Sequence, residues 1–261
     1  MNRREKISLI RENLKSGKPS IGSWMQIPNS SIAEIMGMSG YDWIAIDLEH
    51  GTIDVSQLPD LFRALELGNT LPLVRLAQGL PKDCKRALDA GAGGVIVPMV
   101  ESAEQLNLVK DACRWPPSGN RGVGFSRANL FGKYFEDYRA EAQEPILVAM
   151  IEHIEAVENL ESILKVEGLD AILVGPYDLS ASMGITGKFQ EQIFSEVMTK
   201  IRVLSNKFGI PFGMHVVAPQ PESVQEKIKD GYQFIAYSID AVFMSSVCQN
   251  PISNLPKTKV K

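Results

Sequence analysis

Hydrophobic residues along the chain gather in eight short runs, separated by longer stretches of helical period. The runs are 20–25 (SIGSWM), 43–48 (WIAIDL), 71–76 (LPLVRL) and 94–99 (GVIVPM), then 146–152 (ILVAMIE), 171–175 (AILVG), 211–216 (PFGMHV) and 233–239 (QFIAYSI). Near-continuous apolar runs of this length suit strands buried on both faces. Between them, 30–40, 55–68, 81–91, 102–113, 154–168, 190–209 and 221–231 read as helices, most of them stopping at glycine. Glycine closes a helix at little steric cost. Ile7, Ile10 and Leu14 share one helical face and place a further helix at about 3–16.

Strands alternating with helices predict a parallel sheet, and eight of them favour a closed (β/α)8 TIM barrel over an open doubly wound sheet. The first strand–helix turn, QIPNSS, lacks the glycine fingerprint of a dinucleotide fold. No Pro/Ser-rich linker breaks the chain, so 1–261 reads as one barrel domain with a long insertion at 114–145. An insertion this long is usually functional or carries structure of its own. Its glycines and arginines, Arg121 among them, would let donors approach an anion. A surface excursion with a stabilising arginine is the other reading.

A barrel of this kind keeps its chemistry at the C-terminal ends of its strands. Asp47, Glu49 and His50 follow the second strand, Arg75 lies near the end of the third, and Glu152 ends the fifth. Asp178 follows the sixth in GPYDLS, His215 lies near the end of the seventh, and Asp89 closes a helix and needs the tertiary fold to reach the mouth. An arginine inside an apolar run costs several kcal/mol, about 3–5, unless it is paired. The partner of Arg75 is therefore expected to be an acid or an anionic substrate. Glu152 and Asp178 leave adjacent strands and suit a hard divalent cation such as magnesium, manganese or cobalt. Two unrelated acids would read the same way by spacing. His50 can serve as a general base with a carboxylate to orient it, or it can be structural.

Composition narrows the partners. With 44% hydrophobic residues, 22% charged residues and a net charge of −4, the chain has material for a core and no reason to bind nucleic acid. No apolar run is long enough to cross a bilayer, and the basic N-terminus lacks the apolar core of a secretory signal. Cys84, Cys113 and Cys248 match no metal-binding spacing and suggest reduced thiols in the cytoplasm. The basic tail at 256–261 is expected to fray.

The segments DLEHG, LVRL, LDAGAGGVIVPMVES, PPSGNRGVG, MIEHIEAVENLESIL and VGPYDLSASMG, in this order, resemble the metal-dependent pyruvate aldolases. That family includes 4-hydroxy-2-oxoheptanedioate aldolase and 2-keto-3-deoxy-L-rhamnonate aldolase, and the resemblance runs from about Ile21 to Asp240. It implies a barrel of the phosphoenolpyruvate/pyruvate-domain type, a divalent metal cofactor, and cleavage or formation of a carbon–carbon bond beside pyruvate. By motif, Glu152 and Asp178 would hold the metal, His50 would be the base and Asp89 would orient it. Arg75 would bind pyruvate and stabilise its enolate, while Gly175, Pro176, Tyr177 and Asp178 would hold the pyruvate carboxylate. The partners implied are pyruvate and an aldehyde, in a homo-oligomer that is a hexamer by family resemblance. Members acting on sugar acids carry glutamine two residues before the metal glutamate, where this chain has Met150. That exchange is either a tolerated packing swap or a sign of a changed second substrate. His215 lies outside these motifs and takes no role from the resemblance. An oxaloacetate-type decarboxylase, a CoA-ester lyase on the same barrel and a non-catalytic binding homologue are the alternatives.

Overall fold

The computed structural model describes residues 2–248 and 250. The basic tail at 256–261 lies outside them. Eight strands close a barrel in chain order: β1 (Ser20–Met25), β2 (Trp43–Asp47), β3 (Leu71–Arg75), β4 (Gly94–Val97), β5 (Ile146–Ile151), β6 (Ala171–Val174), β7 (Phe212–Val216) and β8 (Phe234–Ile239). Every neighbouring pair is parallel, β8 with β1 included. The helices are α1 (Arg3–Lys15), α2 (Ser30–Gly37), α3 (Leu58–Leu67), α4 (Pro81–Ala90), α5 (Ala103–Cys113) and α6 (Phe135–Glu141). They continue with α7 (Ile154–Glu158), α8 (Leu160–Ile163), α9 (Pro176–Ser182), α10 (Gln192–Phe208), α11 (Pro221–Lys229) and α12 (Asp240–Val247).

Strand residues alternate between two cores, as a period of two requires. Outward residues such as Ile44, Val74, Val95, Ile151 and Val174 pack against the helices. Inward residues Trp24, Trp43, Leu73, Ile96, Val148, Met150, Leu173 and Phe234 fill the barrel. Trp43 and Phe234 stack at 4.4 Å across its lower part. Gly22 makes that possible, since a Cβ there would stand 2.1 Å from the Trp43 ring. Helix α1 closes the N-terminal end of the barrel with Ile7, Ile10 and Leu14, the face expected from their spacing.

Two expectations change. The stretch 154–168 forms two short helices, α7 and α8, that meet at Asn159 rather than one long helix. The insertion at 114–145 joins the end of α5 to the start of β5, so it lies at the N-terminal end of the barrel, away from the mouth. It carries α6 and a 3-10 turn at Arg127–Asn129. Arg121 is buried there against Trp115 and Tyr138 and donates from Nη2 to the Tyr138 hydroxyl at 2.9 Å. It cannot receive an anion at this chain's own mouth, because chain direction puts helix-to-strand connections at the other end.

Candidate active site

The site grows from the exit of β2. Asp47 ends the strand with no exposed surface, and its inward carboxylate organises the residues around it. Strand register sets Asp47 beside Arg75 on β3. Arg75 donates Nε to Asp47 Oδ1 at 2.8 Å and Nη2 to Oδ2 at 2.5 Å, a two-pronged contact suited to the planar guanidinium. Gln26 Nε2 adds a third donor to Asp47 Oδ2 at 2.8 Å. Burial alone would raise the Asp47 carboxyl, but Arg75 and Gln26 hold it below the usual carboxylate range. Arg75 also lies over the Trp24 ring at 4.6 Å and faces Glu49 through Nη1 at 3.1 Å. The acid partner expected for Arg75 is Asp47.

Beyond Asp47 the chain leaves the strand as a tight bend. Asp47 Oδ1 accepts the backbone N–H of Glu49 at 3.1 Å and of His50 at 3.2 Å. Gly51 passes so close that a Cβ would lie 2.3 Å from the Asp47 carbonyl oxygen. His50 thus stands exposed on the rim, with Nε2 4.0 Å from Glu49 Oε2. Burial raises the Glu49 carboxyl, and the neighbouring Asp47 and Asp178 add to the rise against Arg75 and His50.

Glu152 follows β5 and is 3% exposed. Its Oε2 accepts the Met99 backbone N–H at 3.0 Å. Met99 holds a left-handed φ of 48° after β4, a conformation few side-chain-bearing residues adopt. Its carbonyl is fixed by Gln105 Nε2 at 3.1 Å. Glu152 Oε1 turns instead over Gly175, where a Cβ would meet it at 2.5 Å. Burial pushes the Glu152 carboxyl up to about 7, with Glu49 and Asp178 adding to the rise and the Met99 N–H and Arg75 opposing it. Asp178 is the third residue of α9 and is exposed. A free carboxylate oxygen above a glycine, near two further carboxylates that repel it, is an oxygen-rich setting that fits a hard divalent cation. Gly175 and Pro176 open α9, and the first-turn N–H groups of Tyr177 and Asp178 have no partner within the helix.

Asp89 lies elsewhere. It is paired with Arg121 at 3.5 Å near the carboxyl end of α4, which is the N-terminal end of the barrel. Burial raises its carboxyl, and Arg121 and Lys85 oppose the rise. Within one chain it therefore does not orient His50, whose neighbouring acid is Glu49. His153 caps α7, accepting the Glu155 N–H at 3.3 Å, and lies 3.8 Å from Glu101. Met150 points inward below Glu152 and packs in the inner core at 3% exposure. His215 faces inward from β7. Trp24, Gln26, Met99 and Ser238 complete the site and are not among the sequence candidates. Trp24 and Gln26 alternate at the end of β1, so a period-two reading of that strand end would have found them.

A model of the HpcH/HpaI aldolase/citrate lyase family matches residues 20–246. The chain is 35% identical over 243 residues to a hydroxypyruvate/pyruvate aldolase of Roseobacter denitrificans, covering 91% of this chain and 93% of the relative. It is 34% identical over 251 residues to a 2-keto-3-deoxy-L-rhamnonate aldolase of Salmonella gallinarum, covering 94% and 91% of the two. Among solved structures, an HpcH/HpaI aldolase/citrate lyase family protein from Burkholderia cenocepacia superposes with a TM-score of 0.85 at 29% identity, covering 91% of this chain and 95% of that one. The chain belongs to the HpcH/HpaI aldolase/citrate lyase family.

Proposed function

We propose that the protein is a divalent-metal-dependent carbon–carbon lyase that cleaves a 4-hydroxy-2-oxo acid into pyruvate and an aldehyde, and runs the reverse condensation. The relatives named aldolases support the reaction class. The observation that carries it for this chain is Glu152 Oε1, aimed over Gly175 beside Asp178, with the Arg75 fork in the same mouth. Glu152 and Asp178 would hold magnesium, manganese or cobalt. When bound, such an ion acts as a Lewis acid on the keto group and its enolate.

The chain's own residues do the rest. The first-turn N–H groups after Gly175 and Pro176 would take the pyruvate carboxylate, leaving the keto oxygen to face Arg75. Asp47 and Trp24 keep that guanidinium fixed, so it needs little reorganisation as charge develops. In cleavage His50 takes the proton of the 4-hydroxyl group. The bond between the third and fourth carbons then breaks towards the pyruvate half, leaving an enolate opposite Arg75. Asp89 can orient His50 only from a second copy of the chain, so we also propose a homo-oligomer. The three unpaired cysteines suit a reducing, cytoplasmic setting.

The test is exchange of pyruvate methyl protons with deuterium in the presence of each metal, which needs no knowledge of the aldehyde. Wild-type protein should exchange only with metal. Glu152→Ala and Asp178→Ala should bind metal poorly by calorimetry and lose exchange, and normal exchange after chelator dialysis would defeat the reading. Oxaloacetate, added in parallel, separates aldol chemistry from decarboxylation.

A further inference from the structure

His215 is an ionisable residue facing the barrel interior that the chemistry above leaves unused. Register pairs Ile151 with Val174 and Val174 with Met214, so the next residues on these strands, Glu152, Gly175 and His215, stand abreast. Neighbouring strands are about 4.8 Å apart, so Glu152 and His215 face one another across roughly 10 Å with only a glycine between them. On its other side the His215 ring meets Trp24 edge-on at 5.8 Å, and Trp24 in turn carries Arg75. His215 therefore borders the same mouth as the pyruvate-binding residues.

Its hydrogen-bonding state follows from one contact. His215 Nε2 lies 3.2 Å from the Ser238 carbonyl oxygen. A carbonyl only accepts, so Nε2 carries the hydrogen and Nδ1 is the acceptor of a neutral ring. Burial keeps the ring neutral, against the Ser238 contact, with its pKa pushed down to about 4. Ser238 has a left-handed φ of 54°, where the register of β8 against β1 shifts, and its hydroxyl is tied to the Val217 carbonyl at 2.9 Å. Nδ1 meets no protein donor among the described residues and is not fully buried.

An acceptor needs a donor. Pyruvate at neutral pH has none, and neither has an unsubstituted aldehyde, whereas a hydroxyl on the aldehyde does. The inward neighbours Trp24, Met150 and Ala236 offer no side-chain oxygen to compete for it. We propose that His215 is a specificity-determining contact whose Nδ1 accepts a hydrogen bond from a hydroxyl on the aldehyde half, so that short hydroxylated aldehydes are preferred. This inference rests on the aldol reading above.

The experiment compares metal-loaded wild type, His215→Leu and His215→Gln in condensing pyruvate with glycolaldehyde and with acetaldehyde, which differ by one hydroxyl. Pyruvate methyl exchange with deuterium is measured beside it. Wild type should prefer glycolaldehyde, and His215→Leu should lower the glycolaldehyde-to-acetaldehyde ratio of kcat/KM by about tenfold, the worth of one ordinary hydrogen bond. The Gln variant, which keeps an acceptor, should retain more of the preference, and exchange should stay within about twofold in all three. An unchanged ratio in the Leu variant overturns the inference, as does an equal fall with both aldehydes. Loss of exchange in the Leu variant alone would place His215 in the pyruvate half and also overturn it. Absence of exchange in wild type would instead bring down the aldol reading itself.

Discussion

Asp47 and Arg75 are each tolerable in the barrel interior only because of the other. Asp47→Asn would leave the buried guanidinium with Glu49 as its remaining acid, and breaking a buried pair typically costs about 3–5 kcal/mol. We expect a loss near the lower figure in urea unfolding, because Glu49 compensates in part. A loss well under 1 kcal/mol would mean the pair is not what holds Arg75. His215 makes a second prediction at this scale. Its folded pKa of about 4 lies below the ordinary 6.5, so between those values the unfolded chain takes up a proton that the folded chain refuses. The stability linked to His215 is complete above pH 6.5 and falls away as the pH drops towards 4. Lowering a pKa by one corresponds to about 1.4 kcal/mol, so with partial solvent access the difference should reach about 1–3 kcal/mol. Unfolding of wild type and His215→Leu from pH 7 to 4 should show the variant with the shallower slope. Parallel curves would contradict it.

At the scale of elements, the eight strands are legible because each is an apolar run bounded by turn residues. Their inward and outward faces follow from the period of two. Helix α9 is harder to read, because PYDLSAS is only seven residues long and shows too little of a helical period. The break between α7 and α8 at Asn159 leaves no interruption in the apolar pattern of 154–168. The turn after β4 is hidden for another reason: the left-handed position is occupied by Met99, where glycine would have announced it. That strain is retained where the Met99 N–H meets Glu152, and strained backbone tends to persist at functional sites. Met99→Gly should therefore keep the N–H contact and leave thermal stability within about 1 kcal/mol of wild type, as the relief of strain offsets the gain in unfolded-state freedom. Met99→Val, with a branched Cβ in the same conformation, should destabilise by more than about 1 kcal/mol and weaken metal binding. If the valine variant matches wild type in both calorimetric metal titration and melting, the Met99 turn does not set Glu152.

For the whole molecule, the question is which end of the barrel each segment occupies. Strand-to-helix connections build the mouth and helix-to-strand connections build the opposite end, so chain direction alone sends 114–145 away from the active site. Motif similarity carries no such information, and this is why it assigns Asp89 to His50 although chain direction puts the two at opposite ends of one barrel. Helix α4 begins at Pro81, just past the exit of β3, and runs down the barrel. At 1.5 Å per residue, Asp89 ends about 12 Å below that start, paired with Arg121. If Asp89 serves a histidine, the histidine belongs to another copy of the chain. His50→Ala and Asp89→Asn should then each be nearly inactive alone, since losing a general base costs about 10²–10⁴-fold. Mixed oligomers, made by unfolding and refolding the two variants together, should recover activity, because some sites would draw an intact His50 from one copy and an intact Asp89 from the other. Were both residues supplied to each site by the same chain, every site in the mixture would carry one defect and activity would stay at the level of the separate variants. The same mixture of His50→Ala with Arg75→Ala provides the control. Those two residues border one mouth through Glu49, so their mixed oligomers should show no recovery.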